Sequence, residues 1–254
     1  MANYKEKLEE LLLATAKQNA SDLHLAVGRR PTIRIDGALI PLEGQTVLTP
    51  ESAEGLIMGL LDEAQKDYDL LILGASEKGR DSDSLFSSMI DSMVRLSPCI
   101  TMVIHAKKID EHWSPKRILV PISGSAASKA AAELSFSLIS SPEEMVKLIN
   151  VVVQDSSMWN YDTSGDVFER QFISSKRMME NLRKLAEVNG VKAMSEVTIG
   201  ADPETVILSA ASKEKVDLII LGTDVLPVSD RLFLGPRVER ILNNALCPVI
   251  VLNS

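Results

Sequence analysis

The sequence predicts an α/β protein built around a parallel, doubly wound sheet of five strands. Between residues 117 and 254, apolar runs of strand length alternate with segments of helix length, and such alternation is typical of parallel sheets with right-handed crossovers. The segment Asp69–Gly74 also recurs as Asp217–Gly222, and the offset of 148 residues (217 − 69) holds without a gap to the end of the chain. A constant offset indicates a duplicated structural unit.

The elements of the main region, residues 117–254, follow from their residues. The first strand, Arg117 to Ile122, is continuously apolar after its first residue, as expected of a strand covered on both faces. Gly124-Ser125 turns into an alanine-rich helix that ends near Ile139. The later elements are strand Lys147 to Val153, helix Val167 to Asn189, strand Lys192 to Ile199, helix Pro203 to Glu214, strand Leu218 to Leu221, helix Pro236 to Asn244 and strand Val249 to Leu252. The expected strand order is 3-2-1-4-5, so a ligand would lie at the carboxyl ends of the first and fourth strands, where the order reverses.

Residues 67–108 form a partial α/β repeat that contains only the last third of such a unit. We expect strand Leu70 to Leu73, a polar loop, a helix near Leu85 to Leu96 and strand Cys99 to His105, followed by a linker at 109–116. This copy has no first strand to pair with Leu70 to Leu73. The edge of that strand would be open unless the N-terminal segment or another chain covers it.

Residues 1–66 predict a small α+β segment. A helix from residue 3 to 19 would bury one apolar face, formed by Leu8, Leu11, Leu12 and Ala16. Asp36-Gly37 between two apolar arms is a strong signal for a hairpin. Pro50 and Glu51 are typical of a helix N-terminus, and this second helix would run to about Lys66.

The composition limits the classes of partner. The chain has 254 residues, of which 45% are apolar and 24% are charged, as in ordinary globular proteins. A net charge of −8 and a pI near 5.0 argue against nucleic acid or an anionic membrane as the main partner. No apolar run could cross a bilayer, and the charged N-terminus does not look like a secretion signal. We therefore expect a cytoplasmic protein without membrane insertion, in which Cys99 and Cys247 are reduced, half-buried strand residues.

Residues at both ends of the main region carry a family resemblance. Arg117–Ser125 lie at its start, and Asp217–Gly222, Gly235-Pro236 and Cys247–Val251 lie towards its end. With these residues, positions 114–254 resemble a complete universal stress protein domain, and residues 67–108 resemble part of a second one. The resemblance implies a regulatory role. It also implies that the closing strands, Cys99–Ile104 and Val249–Leu252, lie beside each other and mediate self-association, because such strands commonly meet at a dimer interface in the family.

The same resemblance points to a nucleotide site. Nucleotide-binding members have an Asp at the end of the first strand and a Gly-x2-Gly-x9-Gly-Ser/Thr loop after the fourth, whose glycines let backbone N–H groups approach phosphates. This chain has Ser123 in place of the Asp, and Val225 and Pro236 in place of the middle glycine and the hydroxyl. Proline removes a backbone donor, although it is harmless at a helix start. The candidate cofactor is ATP or AMP, and the candidate cofactor-binding residues are Pro121, Ser123, Val151, Gly222, Val225, Gly235 and Pro236.

Two further resemblances concern the organisation of the chain. The segment Phe233–Glu239 is similar to the tandem stress-protein domains in cytosolic tails of cation–proton antiporters, which implies sensing and not transport by this chain. Ala20–Leu25, Gly28–Pro31, Arg34–Gly37 and Leu48–Glu51 are similar to the N-terminal part of type IV pilus retraction ATPases. The Gly-x-x-x-x-Gly-Lys-Ser/Thr loop of that family is absent from the sequence, so the phosphate-binding lysine is missing.

No pattern in the sequence predicts catalysis. The three histidines, His24, His105 and His112, have no nucleophile in a recognisable elbow, and there is no cluster of metal ligands. His24 is expected to be a polar residue on a half-buried strand. We therefore expect a non-enzymatic regulatory module that binds a nucleotide or related small molecule. The alternatives are an adaptor that docks on a pilus motor through residues 1–66, or a fusion of two gene fragments without a joint function.

Overall fold

The computed structural model describes residues 4–64, 70–75, 93–94, 97, 99–105, 113–153, 164–223 and 235–253. The chain divides into two compact units. The first contains Met1–Asp69 and Ser88–Cys99, and the second contains Leu70–Ser87 and Ile100–Ser254. Of the predicted helix near Leu85 to Leu96, only residues 93–94 are described as helical, and residues 109–112 of the predicted linker lie outside the described part.

The first unit is the predicted α+β segment. Its elements are α1 (Tyr4–Lys17), β1 (Asp22–His24), β2 (Thr32–Ile35), β3 (Ala38–Pro41) and α2 (Pro50–Ala64). The strands form an antiparallel sheet in the order β1-β2-β3. The predicted hairpin turn is present, with φ of 49° at Asp36 and 79° at Gly37, the positive values that a two-residue type I′ turn requires.

The face that α1 buries is narrower than the sequence pattern predicts. One core cluster of the first unit contains Leu8, Leu11, Ile33, Leu42, Leu48 and Leu56. Leu8 and Leu11 of α1 lie in this core as expected, but Leu12 is 50% exposed and Ala16 is exposed as well. The prediction for these two residues was wrong because α1 packs a single stripe of side chains, and Leu12 lies beside that stripe.

The second unit contains one sheet of seven strands. The strands are β4 (Leu70–Ala75), β5 (Ile100–His105), β6 (Arg117–Pro121), β7 (Met145–Val153), β8 (Ala193–Gly200), β9 (Leu218–Thr223) and β10 (Val249–Asn253). Its described helices are α3 (Ala126–Ser137), α4 (Ser164–Val188), α5 (Pro203–Lys213) and α6 (Pro236–Asn244). The observed order is β4-β5-β10-β9-β6-β7-β8. Counted from β6, the last five strands have the order 3-2-1-4-5, and all pairs among them are parallel.

The two copies of the repeat meet inside this sheet. β5 pairs antiparallel with β10, with Ile104 opposite Ile250 and Met102 opposite Leu252. The predicted meeting of the two closing strands is therefore confirmed within one chain. β5 is also paired with β4, and β10 with β9. Because each closing strand is paired on both sides, neither has an edge left for another molecule, and self-association by edge pairing of these two strands is not possible in this fold.

The strand β4 lies at one end of the sheet. Within the described residues it pairs with β5 and with no other strand, and the three N-terminal strands form their own sheet. The N-terminal strands therefore add no strand to this edge among the described residues, and cover of the edge by another part of the N-terminal segment or by another chain stays a prediction. The reason is that β1, β2 and β3 pair with one another and enclose a separate core.

One core cluster of the second unit lies on the face of the sheet covered by α3 and α4, and residues of the opposite face, such as Leu119 and Ile219, are buried as well. The largest side chains of this cluster include Ile118, Leu148, Met179 and Ile220, all at most 1% exposed. The helix α3 starts at Ser125, whose side-chain Oγ accepts a hydrogen bond from the N–H of Ser128 at 3.1 Å, which is the usual N-cap arrangement. Within the described residues, no helix is both long and apolar enough to cross a membrane.

Candidate functional site

A cleft of about 620 Å³ lies at the carboxyl ends of the central strands, within the range of small-molecule sites. It is lined by the ends of β6, β7 and β9 and by residues of α4, α5 and α6. This is the place where the strand order reverses, as the sequence predicts for a ligand site. Among the candidate residues, Pro121, Ser123, Val151 and Gly222 line the cleft.

The other candidate residues are placed differently. Gly235 and Pro236 are not among the lining residues, whereas the next two residues, Arg237 and Val238, are. Val225 lies outside the described residues. The first turn of α6 therefore lies at the cleft.

Ser123 takes part in a local network that starts α3. Its Oγ donates to the Oγ of Ser125 at 3.1 Å and accepts from the backbone N–H of Ser125 at 3.3 Å. The N–H of Gly124 donates to the Oγ of Ser128 at 3.2 Å. The family's aspartate position is thus occupied by a neutral side chain that already makes two hydrogen bonds. The ribose or base of a nucleotide would meet a hydroxyl here and not a carboxylate.

Gly222 is required for packing. A Cβ atom at this position would lie 2.1 Å from the carbonyl oxygen of Ala127 and 2.4 Å from the backbone nitrogen of Ser128. These atoms belong to the backbone of α3, so no side-chain rotation could relieve the overlap. The glycine therefore lets β9 and α3 approach each other, and this contact accounts for its presence whether or not a phosphate binds nearby.

The start of α6 presents donors to the cleft. Gly235, with φ of 91°, is the N-cap residue, and as a glycine it has no side chain that could cap the helix. Pro236 occupies the first turn, so its missing N–H removes one donor. The backbone N–H groups of Arg237 and Val238 have no acceptor in an α-helix. Together with the Arg237 side chain and the helix dipole, they favour an anion at this end of the cleft.

Asn150 is a lining residue that the sequence reasoning missed. It is only 7% exposed, and its Nδ2 donates to the carbonyl oxygen of Ile122 at 2.7 Å. Its Oδ1 is buried and has no donor among the described residues. A buried acceptor without a partner costs about 1–3 kcal/mol, and a ligand or a water in the cleft could supply the donor. The signal in the sequence is a single amide within the apolar run Leu148–Val153.

Arg237 was also missed, although it directly follows the proline of the candidate loop. Its neighbour Arg240 is held by Glu204 of α5, with Nη1 and Oε1 2.7 Å apart. The pKa of Glu204 is lowered, first by a hydrogen bond from its own backbone N–H and then by Arg240. This ion pair links α5 to α6 and so fixes the helix that carries Arg237. Among the described lining residues, Arg237 is the one with a charged side chain.

Lys147 and the two cysteines are polar residues that do not line the cleft. Lys147 of β7 is 7% exposed and binds Glu196, with Nζ and Oε2 2.6 Å apart, and also Glu214. Cys99 and Cys247 do not form a disulfide, and burial, followed by the charge of Asp217, raises the pKa of Cys247 to about 11. A thiol with such a pKa is protonated at neutral pH and is a poor nucleophile.

The histidines and possible metal ligands complete the survey of the described residues. His24 of β1 is half-buried, as predicted, and its Nε2 lies 3.2 Å from Nη2 of Arg34. His105 is 6% exposed on β5, and His112 lies outside the described part. Within that part, no group of three or more His, Cys, Asp or Glu side chains could hold a metal ion.

The fold and the cleft define an α/β module with a cleft at its switch point. A family comparison matches residues 115–253 to the universal stress protein family. The chain therefore belongs to the universal stress protein family.

Individual members of this family are also similar to the chain in sequence or in fold. A universal stress protein of Methanocaldococcus jannaschii is 30% identical over 144 residues, which are 55% of this chain and 82% of that protein. A crystal structure of a universal stress protein from Archaeoglobus fulgidus has a TM-score of 0.52 at 16% identity, and covers 80% of this chain and 75% of its own. This likeness in fold extends beyond the residues of the family match. An AMP-bound family member from Arabidopsis thaliana has a TM-score of 0.42 at 18% identity, and covers 55% and 92% of the two chains.

These relatives concern the stress-protein region. They do not show the resemblance of residues 1–66 to pilus retraction ATPases, nor the resemblance of the tandem arrangement to antiporter tails.

Proposed function

We propose that this protein is a stress-related regulatory module whose cleft binds an adenine nucleotide. The observation that carries the proposal is the cleft itself, which lies at the carboxyl ends of β6 and β9 and is lined by Pro121, Ser123, Val151 and Gly222. AMP is the first ligand to test because the Arabidopsis family member binds it.

The geometry supports one orientation of the nucleotide. The phosphate would lie at the N-terminus of α6, beside the Arg237 side chain and the backbone N–H groups of Arg237 and Val238, which have no acceptor among the described residues. The nucleoside would then extend towards Ser123 and Asn150, and its base would pack on the apolar side chains of Val151 and Met178. An amino or hydroxyl group of the ligand would donate to Oδ1 of Asn150, the acceptor left without a donor among the described residues.

The same geometry favours a nucleoside monophosphate over a triphosphate. Arg237 and the two N–H groups match a single phosphoryl group. The β- and γ-phosphates of ATP would add negative charge without a second cation from the described lining residues. The net charge of −8 adds a further, unfavourable long-range contribution.

Calorimetric titration of the full chain with AMP, ATP and adenosine tests the proposal. We expect AMP to bind more tightly than either of the others. Charge reversal by Arg237→Glu should weaken AMP binding by about 10- to 100-fold, since a hydrogen bond to a charged group contributes about 1.5–3 kcal/mol. Adenosine binding should change little in this variant. Arg177→Glu is the matched control, because Arg177 is exposed on α4 and does not line the cleft.

Absence of saturable binding by AMP, ATP and adenosine would sink the nucleotide proposal. Equal loss of AMP binding in Arg177→Glu and Arg237→Glu would contradict the placement of the phosphate at α6, because only the second residue lies at the cleft.

The proposal does not include catalysis. The chemistry of the lining supports a binding role without catalysis. Among the described lining residues, the charged side chain is an arginine, which keeps its proton at all ordinary pH values and is therefore a poor general acid or base. Incubation with ATP, followed by separation of the nucleotides, should show no hydrolysis above a buffer blank. We also propose a cytoplasmic location, supported by two cysteines that are not joined in a disulfide; fractionation of the native cell checks it.

A further inference from the structure

The outer strand of the partial repeat, β4, lacks the features that protect sheet edges. Its sequence, Leu-Leu-Ile-Leu-Gly-Ala, has no charged residue and no proline over six positions. Natural edge strands usually carry such residues because an unprotected edge pairs with other chains. The strand at the opposite end of the sheet, β8, carries Glu196, whose side chain is 48% exposed. The two ends of the sheet therefore differ, and β4 is the end suited to pairing.

One face of β4 and β5 is only partly covered, because Met102 on this face is 6% exposed and lies in the core of the second unit, whereas two isoleucines remain exposed. Ile72 is 56% exposed and Ile100 is 40% exposed. Leu70 lies opposite Ile100 and Ile72 lies opposite Met102 in the parallel pair. Because alternate residues of a strand share a face, the two exposed isoleucines project from the same side of the sheet. They form a small apolar surface next to the free edge of β4.

The complete copy of the repeat shows what this surface lacks. Ile220, the equivalent of Ile72 at the offset of 148 (220 − 72), is 0% exposed. Gly222 is in close contact with the backbone of α3, whereas its equivalent, Gly74, has no atom within 4 Å of the position of a Cβ. β9 is paired with β6 as well as with β10. The partial copy therefore has no counterpart of β6 or α3 over β4 in the described structure.

We propose that a second copy of this chain binds to the open edge of β4, so that the β4 strands of the two copies pair antiparallel about a two-fold axis perpendicular to the sheet. Such an axis keeps the same face of both sheets on one side and brings the two Ile72 side chains together. A two-fold contact is closed and uses both open edges at once, unlike a head-to-tail contact. The uncharged sequence of β4 also keeps like charges away from the axis, despite the net charge of −8.

A junction of the same kind already exists within the chain. β5 and β10, which belong to the two copies of the repeat, pair antiparallel over five residue pairs. The proposed contact would repeat this geometry at the outer edge and extend the sheet from seven to fourteen strands. It is independent of the cleft, because none of the residues of β4 lines it.

Sedimentation velocity of the full chain, over about a hundredfold range of concentration, tests the proposal, since mass action makes a dimer depend on concentration. We expect a reversible monomer–dimer equilibrium for the wild type. Ile72→Lys should remain monomeric over the same range. Ile199→Lys is the matched control, because Ile199 is 46% exposed on β8 at the other end of the sheet, and this variant should dimerise like the wild type.

Hydrogen exchange at the two ends of that concentration range locates the contact. The amides of residues 70–75 should exchange more slowly at high concentration, and those of residues 193–200 should not change. A wild type that is monomeric throughout would overturn the proposal. A dimer that persists in the Ile72→Lys variant would also overturn the proposal. The same holds for a wild-type dimer in which exchange slows at residues 38–41, where Leu39 and Ile40 are exposed on β3.

Discussion

The close approach of β9 to α3 leads to a matched pair of predictions. Gly222 and Gly74 occupy equivalent positions of the repeat, but only Gly222 lies against another backbone. In Gly222→Ala the new Cβ would meet the carbonyl oxygen of Ala127 at 2.1 Å, so strand and helix must separate by more than an ångström. Overpacking of this kind costs about 1–3 kcal/mol, and we expect the upper end because the contacted atoms are backbone. At about 2–4 °C per kcal/mol, the melting temperature of the second unit should fall by about 6–12 °C.

Gly74→Ala is the internal control. No atom lies within 4 Å of the added methyl group, and Gly74 has no positive φ. Removing glycine also restricts the unfolded chain, which stabilises a protein by about 0.4–1 kcal/mol when the backbone allows alanine. This entropic gain applies equally to Gly222→Ala, so the difference between the two variants isolates the steric overlap.

Urea unfolding measures the difference. Fluorescence of Trp113, which packs against the core of the second unit, reports on this unit, and far-UV circular dichroism provides a second probe. Gly222→Ala should be less stable than Gly74→Ala by about 3 kcal/mol or more. If the two variants unfold within about 0.5 kcal/mol of each other, the reasoning on the strand–helix contact is refuted.

Three further predictions concern single side chains. Ser123→Asp introduces the carboxylate found in nucleotide-binding relatives and should tighten AMP binding by about tenfold. The control Ser137→Asp, at the far end of α3, should leave the affinity for AMP unchanged. Equal affinities of the two variants in calorimetric titration would contradict the placement of the nucleoside. Lys147→Met should destabilise the second unit in urea by about 1–3 kcal/mol, because it leaves two carboxylates without their cation. The loss is limited because both carboxylates are partly exposed to water. Burial by itself lowers the pKa of Lys147, but its hydrogen bonds to Glu196 and Glu214 raise it above the ordinary 10.5. The stability that this group contributes is therefore complete below pH 10.5 and is lost as pH rises through the higher folded pKa, so wild type and Lys147→Met should converge only in that alkaline range.

The sequence predicted the second unit well because its apolar runs are long and separated by clear breaks. Helix α6 was predicted with its observed bounds, Pro236–Asn244, since a proline and an asparagine mark its ends. The meeting of β5 and β10 was predicted from the family resemblance and is an antiparallel pair in the structure. Boundaries were less certain where polar residues precede an element, as at α4, which begins at Ser164 instead of Val167.

The roles of single residues were harder to predict. Nothing in the sequence shows that Gly222 packs against Ala127, because the two residues are brought together only by the β6–β9 pairing. Arg237 acquires its place from the Glu204–Arg240 ion pair between α5 and α6. In the sequence, Asn150 is one residue of an apolar strand. That its Oδ1 has no donor among the described residues becomes clear only in the structure, where its Nδ2 donates to the carbonyl oxygen of Ile122. Each of these features depends on tertiary contacts and not on local pattern.

Hydrogen exchange of the full chain with and without saturating AMP tests the central claim most directly. We expect slower exchange in three segments that meet at the cleft, namely residues 121–128, 149–153 and 235–241, and no change at the amino ends of the strands. Unchanged exchange throughout, or protection confined to residues outside these segments, would contradict the assignment of this cleft as a nucleotide site.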